Sequence, residues 1–103
     1  MQVFKFGGAS VKDAEGVKNL AKIVQNYPST HLLIVISAMG KITNKLEELT
    51  WAYLKRDQKV NQLFEEVKTY HFEIIAALFK DHTNPIYDDV ANTFVEIEWL
   101  LEE

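Results

Sequence analysis

Val3-Phe4-Lys5-Phe6-Gly7-Gly8-Ala9-Ser10-Val11 is a short apolar run that carries one lysine to its C-terminal end and then meets two glycines. A helical pattern begins a few residues later, so the order is strand, Gly-rich turn, helix. That order suits a phosphate cradle: backbone without Cβ atoms can turn sharply and bring its N–H groups to an anion. Lys5 at the strand end would add a positive charge for phosphate oxygens. The same residues also suit a plain strand-to-helix turn with Lys5 solvated at its edge, because Lys-x-Gly-Gly is shorter than a Walker loop.

Working outward, Gln2 to Phe6 reads as the first strand, with β-branched and aromatic residues in a brief run. Asp13 is a helix start, and Val17, Leu20, Ala21 and Val24 follow at the spacing of one helical face. Asn26-Tyr27-Pro28-Ser29 ends that helix, since proline lacks a donor and disfavours helix in the residue before it. His31 to Ile36 is a nearly unbroken apolar strand, a composition that suits a parallel sheet covered on both faces. Strand, helix and strand make a right-handed βαβ unit over residues 1–37.

The second strand runs into Ser37-Ala38-Met39-Gly40-Lys41-Ile42-Thr43-Asn44, again small residues and a glycine. Ligands of open parallel sheets bind beyond the carboxyl ends of the strands, so both bends are expected on one rim. Thr43 or Asn44 can cap the helix that follows, and Thr43 can also contact a substrate. From residue 43 to 103 the pattern is helical. Leu46, Leu49 and Tyr53 share a face with Trp51 to its side, and Gln58 to Lys80 forms a long amphipathic helix. Asn84-Pro85 restarts the chain as N-cap and first helical residue, with Ile86, Val90, Phe94, Ile97 and Leu101 facing inward. The acidic end, Glu98 to Glu103, opposes the helix dipole and carries no stop signal, so it reads as an interruption of a longer chain.

Composition narrows the functional classes. One hundred and three residues make one small domain, and 48% hydrophobic with 25% charged residues is a globular balance. A net charge of −4 argues against general nucleic-acid or anionic-membrane binding. Without cysteine there is no disulfide and no thiolate metal site. The longest apolar run, Leu32 to Ile36, is too short to span a bilayer and no signal pattern leads the chain, so a cytoplasmic location is expected. His31, His71 and His82 have no ligand spacing, so no metal site is expected. The charges from Glu47 to Lys68 read as a solvated face. Phe64, Tyr70, Phe72 and Phe79 read as core, not as a stacking platform. Ser37 lacks the elbow of a hydrolase.

The two motifs together, Lys5 to Val11 and Ser37 to Asn44, closely resemble the start of aspartokinases, members of the amino acid kinase family. The usual opening there is Lys-Phe-Gly-Gly-Thr-Ser-Val, so Ala9 replaces a threonine and removes a hydroxyl. The resemblance implies an α/β fold: the N-terminal part of a parallel-sheet kinase domain, β-α-β followed by three or more amphipathic helices. It implies transfer of the γ-phosphoryl of ATP, with Mg2+, to the β-carboxylate of L-aspartate, the first step towards lysine, threonine and methionine. Lys5 would neutralise the transferring phosphoryl group, with Gly7 and Gly8 offering amides, Ser10 beside them, and Gly40 keeping the second bend tight. Ser37 and Thr43 would contact aspartate or the phosphoryl group.

The same resemblance implies that a glutamate and an arginine for aspartate, and most of the nucleotide pocket, lie later in the family's chains. These 103 residues are therefore expected to be a partial domain, inactive alone. They are also expected to self-associate through an open sheet edge or helix exchange. A free-standing helical interaction module with a kinase-like start is the competing expectation. Neither the feedback effector of such an enzyme nor fusion to a homoserine dehydrogenase is legible here.

Overall fold

The computed structural model describes residues 1–27 and 31–103. The chain forms two compact units, Met1–Asn44 and Lys45–Glu103.

In the first unit, strand β1 (Gln2–Phe6) leads through a 3₁₀ turn (Gly8–Val11) into helix α1 (Ala14–Gln25), and strand β2 (Leu32–Ile36) follows. The strands pair in parallel with Gln2 opposite Leu32 and Phe6 opposite Ile36, the βαβ arrangement the apolar pattern predicts. Asp13 caps α1, its carboxylate accepting from the Gly16 amide at 2.8 Å. The helix ends where the Asn26 amide donates to the Ile23 carbonyl at 3.2 Å and the Tyr27 amide to the Val24 carbonyl at 3.0 Å. Of the expected stop signal, Pro28 and Ser29 lie outside the described residues. Val17, Leu20 and Val24 are half-buried as their spacing predicts, whereas Ala21 faces solvent.

Because side chains alternate along a strand, the sheet has two distinct faces. On one, Phe6 is buried, Phe4, Leu32 and Ile34 are half-buried, and Tyr27 sets its ring edge-on to Phe4 at 4.9 Å. On the other, Val3, Lys5, Leu33 and Val35 are exposed. The unbroken apolar strand predicts cover on both faces, but within these two strands only one face is covered.

Helix α2 (Ile42–Leu54) begins one residue before Thr43 and two before Asn44, so both lie in its first turn instead of capping it. The second unit holds the rest of α2, with α3 (Val60–Leu78) and α4 (Pro85–Glu102). The core comprises Leu49, Ala52, Phe64, Val67, Ile74, Ile75 and Phe94. Phe94 sits among aromatic rings, 6.0 Å from Phe64, 6.1 Å from Phe72 and 5.6 Å from His71. His71 is settled there by its own helix: its Nδ1–H donates to the Val67 carbonyl at 2.7 Å. Phe79, expected in the core, is 39% exposed because α3 stops at Leu78 and Phe79 turns extended. Asn84 then caps α4 through the Ile86 amide at 3.0 Å, with Pro85 in the first turn. Tyr87 ties this corner shut by donating its hydroxyl to the Phe79 carbonyl at 2.6 Å.

Candidate functional site

The bends that follow β1 and β2 are in direct contact. Sheet pairing continues one step beyond Ile36: the Ser37 amide donates to the Phe6 carbonyl at 3.0 Å, and the Ser37 hydroxyl leans on the same oxygen at 3.4 Å. Further along, the Gly40 amide donates to the Gly8 carbonyl at 3.0 Å. A side chain on Gly8 would put its Cβ 2.7 Å from the Gly40 carbonyl oxygen and 3.0 Å from that of Ala38. Such contacts are too short for carbon against oxygen, so glycine at position 8 is what lets the bends close on each other. Gly40 itself turns through φ 55°, the left-handed region that glycine enters without steric cost.

Gly7 stands in extended backbone, exposed, with open space where a Cβ would be. The Ser10 amide donates to the Gly7 carbonyl at 3.0 Å and closes the 3₁₀ turn. The amides of Gly8 and Ala9, at the start of that turn, have no acceptor within it, the usual position of helix-entry N–H groups. Val11, only 2% exposed, anchors the turn from beneath, so its polar atoms lie on a fixed base. Gly16 adds a contact that its sequence position hides: a Cβ there would come 2.5 Å from the Ser10 carbonyl oxygen. A glycine in the first turn of an otherwise good helix was the available signal, since it costs helix propensity.

Gly7, Gly8, Ser10, Ser37 and Gly40 are thus gathered at one end of the sheet. Thr43 follows as an exposed residue in the first turn of α2. Lys5 lies opposite Val35 in the ladder, on the face away from Phe6, and forms no ion pair or side-chain hydrogen bond among the described residues. Chemically, the set is rich in donors: one ammonium, main-chain amides and three hydroxyls. It has no carboxylate of its own, and no group of three His, Asp or Glu able to hold a metal ion occurs among the described residues. The arrangement offers donors suited to an anion with several oxygens.

Residues 1–94 match the model of the amino acid kinase family. Among curated relatives, Aspartokinase 2, chloroplastic, of Arabidopsis thaliana is 52% identical over 44 residues, which are 43% of this chain and 8% of that protein. A bifunctional aspartokinase/homoserine dehydrogenase, chloroplastic, of Daucus carota is 33% identical over 69 residues, 67% of this chain and 8% of the relative. Bifunctional aspartokinase/homoserine dehydrogenase 2 of Escherichia coli (strain K12) is 29% identical over 79 residues, 75% of this chain and 10% of the relative. The matched stretches therefore span a tenth or less of these relatives. No helix among the described residues is long and apolar enough to cross a membrane.

Proposed function

The chain belongs to the amino acid kinase family, and from that premise we propose that its first 44 residues form the phosphoryl-handling corner of an aspartate kinase. The observation that carries the reading is the closure of Gly8 on Gly40, which brings the donors of two separate bends to one rim. Phosphoryl transfer involves little covalent work by the protein. Its catalysis is positioning and charge stabilisation, and an ammonium with aligned amides supplies both.

In this proposal Lys5 neutralises charge growing on the transferring group, while Gly7 and Gly8 offer amides to its oxygens and Ser10 lies alongside. Ser37 and Thr43 receive L-aspartate. The long 3.4 Å contact of the Ser37 hydroxyl is readily given up, and the Thr43 hydroxyl has no hydrogen-bond partner to leave among the described residues. Mg2+ is assigned to the nucleotide's own phosphates, because the donor set of the chain fits oxygen anions. Residues 1–103 act as part of one catalytic domain and do not turn over ATP by themselves, since the family resemblance assigns a glutamate and an arginine for aspartate, and most of the nucleotide pocket, to other parts of that domain. A cytoplasmic setting fits a chain without cysteine. Self-association through the open two-stranded sheet belongs to the same proposal.

The test is amide NMR of the 103-residue chain titrated with MgATP. Shifts confined to Gly7–Ser10 and Ser37–Thr43, abolished in Lys5→Ala, support the corner. Shifts elsewhere, or none at millimolar nucleotide, reject it. A second measurement is a hydroxylamine trap for aspartyl phosphate, expected to stay blank for these residues alone. The competing role of an interaction module is favoured by one feature, the exposure of Trp51, Trp99 and Leu100 at 56%, 62% and 65%.

A further inference from the structure

Residues 1–44 hold five lysines, Lys5, Lys12, Lys18, Lys22 and Lys41, against two acids, Asp13 and Glu15. Both acids are committed elsewhere. The Asp13 carboxylate accepts from the Gly16 amide at 2.8 Å as the cap of α1, and the Glu15 carboxylate lies 3.6 Å from the Lys18 ammonium. Lys22 stands in the last turn of α1, where the helix dipole favours a cation. Lys5 and Lys41 differ from these. Each is exposed, and neither forms an ion pair or a side-chain hydrogen bond among the described residues.

These two lysines flank the contact between the bends. Lys5 precedes Gly7 by two residues, and Lys41 directly follows Gly40, whose amide donates to the Gly8 carbonyl at 3.0 Å. Folding alone gives no reason for a lysine at position 41. It immediately precedes Ile42, the first residue of α2, so its charge stands at the positive end of that helix, and the first turn of α2 holds no acidic residue to offset it. Its neighbours are constrained, Gly40 in left-handed backbone and Ile42 buried, so the main chain at Lys41 is held beside the closed bends. One ammonium serves a single phosphoryl group. Two without counter-charge on one rim suit an anion that carries charge on more than one.

We propose that Lys41 is a second phosphate-binding residue of this rim, so that the corner holds a polyphosphate with Lys5 at one phosphoryl group and Lys41 at a neighbouring one. This assignment rests on the phosphoryl-handling reading above and adds a source of selectivity to it: a nucleoside triphosphate is taken in preference to orthophosphate or a monophosphate.

Amide NMR titrations of the 103-residue chain with inorganic triphosphate and with orthophosphate, at matched ionic strength, test this through the shifts of Gly7–Ser10. The variants are Lys41→Gln, Lys41→Arg and Lys22→Gln, the last removing the same charge at the far end of α1, with circular dichroism checking that each is folded. The parent should bind triphosphate more tightly than orthophosphate. Lys41→Gln should weaken triphosphate about fivefold or more and orthophosphate by less than about twofold, while Lys41→Arg keeps most of the parent's affinity and Lys22→Gln leaves both anions as they were. Equal losses in Lys41→Gln and Lys22→Gln would trace the effect to net charge and overturn the proposal, as would equal losses for the two anions in Lys41→Gln. Parent-like triphosphate binding in Lys41→Gln, with the Gly7–Ser10 shifts intact, overturns it too and leaves the corner with Lys5 standing. No shift at Gly7–Ser10 in the parent with either anion overturns the corner itself and the role of Lys41 with it.

Discussion

Gly8 and Gly7 are neighbours with opposite demands. A methyl group at Gly8 meets two carbonyl oxygens at 2.7 and 3.0 Å, whereas one at Gly7 meets nothing within 4 Å in a backbone that any residue adopts. Gly8→Ala should therefore force the bends apart and cost about 1–3 kcal/mol of unfolding free energy. Gly7→Ala should stay within about 0.5 kcal/mol of the parent in the same denaturant titration. Equal losses at the two positions would mean that the bends are not braced on each other. Arg56 presents the reverse case, a side chain where glycine belongs. It sits at φ 53° just past α2, its amide donating to the Tyr53 carbonyl at 3.1 Å and that of Asp57 to the Ala52 carbonyl at 2.9 Å. Those two bonds make a Schellman cap, whose left-handed residue is usually glycine. Arg56→Gly should stabilise the chain by up to about 1 kcal/mol, and a loss of stability would show that the arginine side chain makes a contribution its exposure conceals.

At the scale of elements, what was legible in the sequence was whatever is decided locally. Asp13 before α1 and Asn84-Pro85 before α4 act through bonds within three residues of themselves, so composition alone locates them. The inward stripe of α4 follows from spacing in the same way. Ala52 and Ile75 are buried without standing out in the sequence, since their burial depends on which helix lies opposite. The left-handed cap at Arg56 was illegible because no residue type announces it. Between elements, the Lys45 ammonium donates to the Glu66 carboxylate at 2.7 Å, linking α2 to α3. That bond, helped by Gln62, holds the Glu66 carboxyl below its ordinary range, and the same bond raises Lys45. A depressed carboxyl lends stability above its unfolded pKa and loses it as pH falls through the folded value. The acid limb below about pH 4.5 should therefore flatten in Glu66→Gln. A raised lysine acts in the opposite sense: its share is complete below its unfolded pKa and is lost only as strongly alkaline pH passes its folded value. If the acid limb of Glu66→Gln matches that of the parent, the pair contributes nothing to folding, as many exposed pairs do not.

At the scale of the whole molecule, the two units rest on different physics. Residues 45–103 have an aromatic centre at Phe94 and seven buried apolar side chains, while among the described residues of 1–44 only Phe6, Val11 and Ile42 are buried and one sheet face is left to water. The contact between the two bends was legible because their small residues act at short range. An apolar strand records what a fold requires around it, and among the described residues these two strands pair only with each other. Phe94→Ala removes the ring that Phe64, Phe72 and His71 share, and the usual cost of such a truncation is about 3–5 kcal/mol. Hydrogen exchange by amide should show that loss concentrated in α3 and α4, with protection of Phe4 to Phe6 and Ile34 to Ile36 changed much less, because opening free energies follow cooperative units and not the chain as a whole. A uniform loss across both strands and all the helices would mean that the two units unfold as one. In that case the two bends would owe their order to the helical unit rather than to each other.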